Sequence, residues 1–511
     1  MTDLQIDDPS KDLSQLYFVP KDSDRPNVRF SGSTSSPYYV GPIEVTTEGV
    51  NHGLGVISSR DIEAGECLFV IGPAVSVNMK EAFDEWKRRY TSGSLNMNDA
   101  NDTAAAKTSQ QPKTLLESVC EDFLVKTMRQ TLLSNDDKNR VAAQSILMQL
   151  NDATRNDMVV PQSPAERLAL LVGAPLPPSS PMPSVDLSDD KLLEIIRRNA
   201  FGPDFTMYES VEEQWKDQLD QQNSRSGDTV SSSYLPSRLL GLYPLAAMLN
   251  HSCVPNALRV FCAGDWMVVH ASAKITKGDE VVWSYLPPIL PYPQRYQQLS
   301  ERHGFVCGCV RCNKEQEVDT TDDAIFSVPQ SLRLLDSLEN VAAVFGSLER
   351  RRQFTQDLID WEKQVTTSLS NELKRYWKIG NANLFIHHLN AVLMNISNST
   401  PATEADTIRA SVLMAAMDLH FCFVACDYAC TEHLSVMHLC YELVAIMHAH
   451  SADQTKTLGK VQFWTEQLKR CHLTRYGALG DDVNRVRMIM KHTQQVLRNK
   501  RGREMVNYDF I

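Results

Sequence analysis

The segment Asn250-His251-Ser252-Cys253-Val254-Pro255-Asn256 combines two Asn, a His, a Cys and a Pro within seven residues. Asn, Ser and Pro favour turns and bond their own backbone, so this segment is neither a regular strand nor a regular helix. A segment of this composition is usually present for its side chains. It therefore predicts a functional site.

A predicted turn and strand follow at Lys277-Gly278-Asp279-Glu280-Val281-Val282-Trp283-Ser284-Tyr285. Lys-Gly-Asp is typical of a tight turn, and the β-branched and aromatic run after it is typical of a strand. Tyr285 falls where this strand ends. A tyrosine there can point its hydroxyl into a cleft, and the alternative is a core tyrosine with a wet hydroxyl.

The third motif, Arg302-His303-Gly304-Phe305-Val306-Cys307-Gly308-Cys309-Val310-Arg311-Cys312, has the spacing Cys-x-Cys-x-x-Cys. Structural zinc almost always takes four ligands, so these three cysteines need one more thiolate. Cys253 in the first motif is the obvious donor. The sequence thus predicts a structural Zn²⁺ held by Cys253, Cys307, Cys309 and Cys312, with four unmetallated thiols as the alternative.

These three motifs, in this order, resemble the SET-domain protein lysine methyltransferases, and within them the SET-and-MYND (SMYD-like) group. The resemblance covers roughly residues 43 to 80 and 190 to 313. It implies an α+β fold with a β-rich SET domain of small sheets and a pseudoknot, a post-SET zinc loop, and a C-terminal all-α, tetratricopeptide-like domain. It also implies methyl transfer from S-adenosylmethionine to the side-chain amine of lysine in a protein substrate, histone or non-histone.

The same resemblance implies roles for individual residues. Tyr285 becomes the catalytic candidate, at the junction of the amine and the transferred methyl group. The implied cofactor-binding residues are His52, Gly53, Leu54, Asn199, Asn250, His251 and Phe305. From the residues alone, the glycine turn at 52–54 is also a plain hairpin turn, Asn199 an ordinary helix cap, and His251 a satisfied turn histidine.

Two departures from the family pattern stand out. Between residues 80 and 190 there is one cysteine, Cys120, and no histidine, so the MYND zinc module is absent, and partners inferred from it are in doubt. His303 stands where relatives commonly carry an aromatic residue that walls the lysine channel, so the number of methyl groups added stays open. Cys422, Cys426 and Cys430, spaced by four, favour core packing over a metal site.

Composition and periodicity divide the chain into segments. The predicted segments are a disordered tail (1–36), the N-terminal part of the SET domain (37–79), a helical and low-complexity insertion (80–190), the C-terminal part of the SET domain (191–300), the zinc loop (301–318), a helical domain (325–500) and a tail (501–511). Helical spacing of apolar residues predicts helices at 332–345, 354–373, 383–394, 407–426, 432–448, 457–473 and 483–497.

Charge and cysteine usage bound the partners and the compartment. The 511 residues carry a formal charge of -12, which argues against a broad nucleic-acid-binding face. A field of this sign suits a lysine-rich protein substrate, although ordinary solubility is the simpler explanation. Twelve cysteines without a secretory signal predict reduced thiols and an intracellular location, cytoplasmic or nuclear. No apolar stretch approaches membrane-spanning length, so we expect no membrane association, and we expect a monomer.

An alternative function from another class is a catalytically silent adaptor. Such a protein keeps the SET shell and binds proteins through its helical C-terminal domain. The retained Tyr285 and the Asn250-His251 pair favour the enzyme.

Overall fold

The computed structural model describes residues 39–46, 55–73, 75–92, 114–132, 188–201, 212, 215–216, 219, 238–262, 266–317, 328–333, 344–397 and 399–477. Several predicted features lie outside these residues. They are both predicted tails, much of the insertion, the glycine turn at 52–54 and the helix at 483–497.

The strands of the described part form four small sheets. These strands are β1 (Tyr39–Val40), β2 (Ile43–Thr46), β3 (Gly55–Ser58), β4 (Cys67–Ile71), β5 (Val75–Asn78), β6 (Ala200–Phe201), β7 (Arg238–Leu242), β8 (Asn250–His251), β9 (Ala257–Cys262), β10 (Trp266–Ala271) and β11 (Val282–Trp283). The sheet orders are β1-β4-β10-β9, β5-β7-β6, β2-β3 and β8-β11, and only the last pair is parallel. The predicted α+β class with small sheets is confirmed.

The four-stranded sheet is buried on both faces. Val268 of β10 lies opposite Val70 of β4 and Val260 of β9, and all three side chains pack into the core of the C-terminal helices. The neighbours Met267 and Val269 point to the opposite face and pack in a second apolar core, formed largely by the strands. Because successive side chains on a strand alternate between faces, a run of buried residues here joins two cores through one sheet.

Three described helices belong to the predicted insertion or border it: α1 (Met79–Thr91), α2 (Leu115–Leu132) and α3 (Asp189–Asn199). Their apolar faces enclose Trp86 and Trp215, both fully buried. Ser188 caps α3 by accepting a hydrogen bond from the Lys191 amide, as expected for serine at a helix start. These helices therefore share one apolar core with the β5-β7-β6 sheet, which contributes Val77 and Leu242.

Helices make up the C-terminal part of the described chain, which confirms the predicted all-α region. The remaining helices are α4 (Pro244–Ala247), α5 (Tyr292–Gln298), a π-helix (Leu299–His303), α6 (Val310–Gln316), α7 (Leu348–Thr366), α8 (Asn371–Gly380), α9 (Ala382–Leu393), α10 (Ala402–Cys426), α11 (Thr431–His450) and α12 (Gln454–Tyr476). The single helix expected at 354–373 was wrong. The Ser370 side chain accepts a hydrogen bond from the Leu373 amide and caps the start of α8. The cap divides this region into two helices, although the helical spacing of apolar residues runs through it.

Helix α10 differs from the sequence expectation about membranes. By length and composition it is the one helix of the described residues that is apolar enough to cross a bilayer, whereas no stretch of that kind was expected. Val412, Ala416, Leu419 and Phe423 on this helix are buried against its neighbours. A core helix passes the same test, so α10 is weak support for a membrane span.

The three cysteines spaced by four lie in this helical core. Cys422 and Cys426 on α10 and Cys430 at the start of α11 are all buried. Cys430 also accepts a hydrogen bond from the His433 amide at 3.4 Å. Their surroundings are those of packed side chains, as the spacing predicts.

Candidate functional site

The central motif and the predicted strand meet at a short parallel crossing. Asn250 pairs with Val282, and His251 pairs with Trp283. The Asn250 amide donates to a carboxylate oxygen of Glu280 at 2.7 Å. The crossing thus brings together the segments that carry Asn250 and Tyr285, which the resemblance places at one site.

Asn256, the last residue of the motif, fastens this crossing and was missed as a site residue. Its side-chain oxygen accepts from the Val282 amide at 2.9 Å, and its side-chain nitrogen donates to the Glu280 carbonyl at 2.8 Å. One side chain therefore satisfies one backbone group of the two-residue strand and one backbone group just before it. An Asn in a turn-rich motif was a sequence signal for such a role.

His251 links the tyrosine to the cysteine cluster. Its Nδ1 accepts a hydrogen bond from the Tyr285 amide at 2.9 Å, so the ring proton sits on Nε2. Nε2 lies 3.2 Å from Cys253 Sγ and donates toward it. Both nitrogens are engaged within the protein, so His251 offers only its ring face to a bound molecule.

Tyr285 is held by a backbone carbonyl and a ring of aromatic side chains. Its hydroxyl donates to the Leu249 carbonyl at 2.8 Å. Its ring centroid lies 5.1 Å from His251, 4.9 Å from His303 and 6.2 Å from Phe305. Burial, and secondarily the charge of Glu280, raises the pKa of Tyr285 above its usual value, so the phenol keeps its proton.

A π-helical turn aims His303 at this tyrosine. The turn Leu299–His303 ends at Gly304, whose φ of +74° lies in the left-handed region that glycine adopts without cost. Single π-helical turns are frequent at functional sites. Burial lowers the pKa of His303 to about 3, with smaller contributions from Arg302, His251 and Arg198, so this imidazole is neutral at physiological pH.

Phe305 completes the group of rings. It lies edge-on to Tyr285 and 6.0 Å from His251, and it sits two residues before the first cysteine of the loop. Its position is fixed by the fold of the loop that the cysteines close. The predicted residues Asn250, His251, Tyr285 and Phe305 are therefore neighbours in the structure.

The other predicted cofactor residues are placed differently. The Asn199 side-chain amide donates to the Ile195 carbonyl at 2.9 Å, as in a helix end. His52, Gly53 and Leu54 lie outside the described residues. Their assignment to a cofactor stays a prediction.

The four predicted cysteines form one cluster. The sulfur atoms of Cys253, Cys307, Cys309 and Cys312 all lie within 4.8 Å of one another, and those of Cys253 and Cys312 are 3.5 Å apart. Four sulfurs bonded to zinc at about 2.3 Å stand about 3.8 Å apart at the corners of a tetrahedron. Hydrogen bonds from the other three thiols hold the pKa of Cys253 well below its usual range. The donor set and its spacing fit a structural zinc ion.

A buried arginine beside this cluster was also missed. Arg295 of α5 is 1% exposed, and its Nε lies 3.3 Å from Cys253 Sγ. Burial alone lowers the pKa of Arg295, but Glu315, Cys253 and Cys312 outweigh it and raise the pKa overall. No local pattern in Pro-Gln-Arg marks an arginine for burial, because the thiolates it meets are distant in sequence.

Part of the chain is similar to known proteins. The SET domain family model matches residues 53–286. The chain is 32% identical over 115 residues to mouse (Mus musculus) histone-lysine N-methyltransferase SMYD3, which is 22% of this chain and 27% of that protein. It is 38% identical over 95 residues to the Drosophila melanogaster SET domain-containing protein SmydA-8, isoform A, which is 19% of this chain and 21% of that protein.

These matches are partial. The chain spans about a quarter of the length of the curated relatives it matches. The solved structure of Rubisco LSMT bound to AdoMet covers 89% of this chain and 87% of that one, at 12% identity and a TM-score of 0.25. Overlay at that level supports no residue assignment.

Proposed function

We propose, from the premise that this chain contains a SET domain of the SMYD-like type, that it transfers a methyl group from S-adenosylmethionine to the side-chain amine of lysine in a protein substrate. Mouse SMYD3, similar over 115 residues, is named a histone-lysine N-methyltransferase. The family match supports the reaction class. The particular protein substrate, histone or not, is left to experiment.

The observation that carries the proposal is the surroundings of the Tyr285 hydroxyl. That hydroxyl donates its proton to the Leu249 carbonyl, so its remaining lone pairs face away from this bond and can accept from an amine. The rings of His251, His303 and Phe305 surround the tyrosine. A polar acceptor within aromatic walls is suited to orient a lysine side chain.

Electrostatics at the site favours a neutral amine. S-adenosylmethionine, when bound, supplies a methyl group on a positively charged sulfonium. An ammonium beside it would place two positive charges in a site with little water, and a free lysine has a pKa of about 10.4. His303 adds no further positive charge, because its pKa is about 3. Tyr285 remains a phenol and orients the amine without taking its proton.

The cysteine cluster contributes to the site indirectly. Cys253 comes from the central motif, whereas the other three ligands come from the loop after His303. Zinc bound by these four thiolates would supply folding energy and join the two segments. The loop then holds Phe305 against Tyr285.

A binding and transfer experiment tests the proposal. Calorimetry should detect S-adenosylmethionine binding to the purified protein, and mass spectrometry of a peptide or protein array should detect methylated lysine. Tyr285→Phe removes only the hydroxyl. We expect it to keep cofactor binding but to lose about 10²-fold in transfer rate, since misplaced reactants cost that much.

The opposite results would point elsewhere. A protein with full zinc content that binds no S-adenosylmethionine would be the silent adaptor. Transfer that is unchanged in Tyr285→Phe would remove this residue from the reaction.

A further inference from the structure

Three fully buried charges lie behind the cysteine cluster. Arg295, Arg311 and Glu315 are 1%, 0% and 2% exposed. Burying an ion is unfavourable unless it is paired and its hydrogen-bonding groups are satisfied. The free-energy cost of burying these charges therefore has to be offset by a further partner. The contacts of the three side chains identify that partner.

Arg295 faces the sulfur atoms. Its Nε donates to Cys253 Sγ at 3.3 Å, and its Nη2 lies 3.7 Å from Cys312 Sγ. Nη2 also pairs with the Glu315 carboxylate, and Nη1 donates to the Leu290 carbonyl at 2.6 Å. A zinc ion with four thiolates has a net charge of 2 − 4 = −2, so a buried guanidinium on two of the sulfurs offsets part of that charge.

Arg311 carries the network to the C-terminal helices. Its Nε donates to the other Glu315 oxygen at 3.2 Å, and its Nη1 donates to the Pro288 carbonyl at 2.8 Å. Its Nη2 lies 3.4 Å from the Tyr376 carbonyl on α8. Packing here is close, because a Cβ added at Gly380 of α8 would lie 3.1 Å from Pro291 Cα.

We propose that Arg295, Glu315 and Arg311 form a buried network of charges. This network stabilises the thiolate-bound metal and couples metal binding to the packing of α8. Arg295 is the positioning residue at the sulfurs, Glu315 holds both guanidinium groups, and Arg311 meets the helix. Without the metal the sulfur positions are no longer fixed, so the contacts of Arg295 with Cys253 and Cys312 weaken and the contact of Arg311 at Tyr376 loosens. The proposed role of this network does not depend on the proposed methyl transfer.

Zinc release tests the first half. Under reducing conditions, the rate at which zinc passes to a coloured chelator should rise at least about tenfold in Arg295→Met, the low end for loss of a residue that supports metal ligands. Arg295→Lys keeps the charge but not the fork of donors, and we expect an intermediate rate. Arg88→Met, which removes an exposed ion pair with Glu85 on α1, is the matched control and should release zinc as the parent protein does.

The test still gives an answer if Arg295→Met has a folding defect. If Arg295→Met does not fold, Arg295→Lys carries the measurement, and Co²⁺ substituted for zinc reports the thiolate environment through its visible absorption. Zinc release within about twofold of the parent in folded variants, with unchanged Co²⁺ spectra, would overturn the role of Arg295.

Hydrogen exchange tests the coupling to α8. Removing zinc with a chelator from the parent protein should speed amide exchange in Asn371–Gly380. In Arg311→Met, exchange in α8 should already be fast, and the chelator should add little. Helix α2, in the insertion, is the internal reference and should not change. If the chelator does not change the amide exchange rate of α8 in the parent protein, the coupling is refuted.

Discussion

At the scale of single residues, the sequence predicted the role of Cys253 in the central motif but not that of Asn256. Cys253 was predicted as a zinc ligand because a Cys-x-Cys-x-x-Cys loop needs a fourth thiolate, and the structure places it with the other three. Asn256 has the two backbone bonds that hold the crossing, and the sequence marked only its turn preference. Ligand number is a chemical rule, whereas the partners of an amide depend on the finished fold.

Replacing Asn256 with Asp should destabilise the protein. The carboxylate keeps the shape and still accepts from the Val282 amide, but it cannot donate to the Glu280 carbonyl. A buried group left unsatisfied costs about 1–3 kcal/mol, and this half-buried site should lie at the low end of that range; two oxygens facing each other add repulsion. The free energy of unfolding from urea titration measures this loss.

Asn313→Asp is the control for that variant. Asn313 is exposed and makes a single side-chain bond, to the Gly308 carbonyl at 3.0 Å. We expect a much smaller loss there. Equal losses at the two positions would mean that Asn256 does not fasten the crossing.

At the scale of elements, helices α10, α11 and α12 are joined by buried histidine pairs. The Ala429 amide donates to His433 Nδ1, so His433 Nε2 carries the proton and donates to His420 Nδ1 at 2.8 Å. His438 and His472 meet through their Nε2 atoms at 3.1 Å. Each pair requires a neutral acceptor ring, so adding a proton breaks the bond and buries a charge.

Acidification should therefore weaken the helical region. Burial lowers the pKa of His420, His433 and His472 below the unfolded value of about 6.5. In the window below about pH 6.5 the unfolded chain binds more protons, so stability falls as pH falls. Asp427 acts in the opposite sense, because burial raises its pKa to about 7, but three histidines outweigh one carboxylate.

Urea unfolding between pH 7.5 and 5.5 measures this dependence. His420→Gln cannot take up the proton, so we expect a shallower loss of stability on acidification. Cys440→Ala is the control, because it shortens a buried side chain of α11 but leaves every histidine in place. It should lower the stability by the same amount at each pH. A slope unchanged by His420→Gln would contradict the prediction.

Sequence predicts long elements better than short ones. Apolar spacing predicted the helices from Ala382 to Tyr476 closely, because three or more turns repeat the pattern. The strands β8 and β11 have two residues each, and no periodicity exists over that length. The family resemblance implied a pseudoknot here, whereas the parallel pairing of the two strands and its register needed the structure.

At the scale of the whole molecule, one sheet supports two cores. The face of Val70, Val260 and Val268 packs on the C-terminal helices, and the other face packs in the second apolar core, which the strands largely form. The sequence showed an apolar strand and a helical segment but not that they meet. Contacts between segments about 200 residues apart, such as β10 and α12, leave no local signal.

A chain shortened to residues 1–317 tests this arrangement. Without the helices, the face of Val268 is exposed to water, and we expect the shortened chain to associate and to bind a hydrophobic dye. Val268→Asp should then have opposite effects in the two chains. In the full chain it buries a charge without a partner and lowers stability strongly, whereas in the shortened chain it breaks an exposed apolar patch and improves solubility. If the shortened chain is monomeric and unfolds as cooperatively as the full chain, the sheet does not need the helices, and the two regions are independent domains.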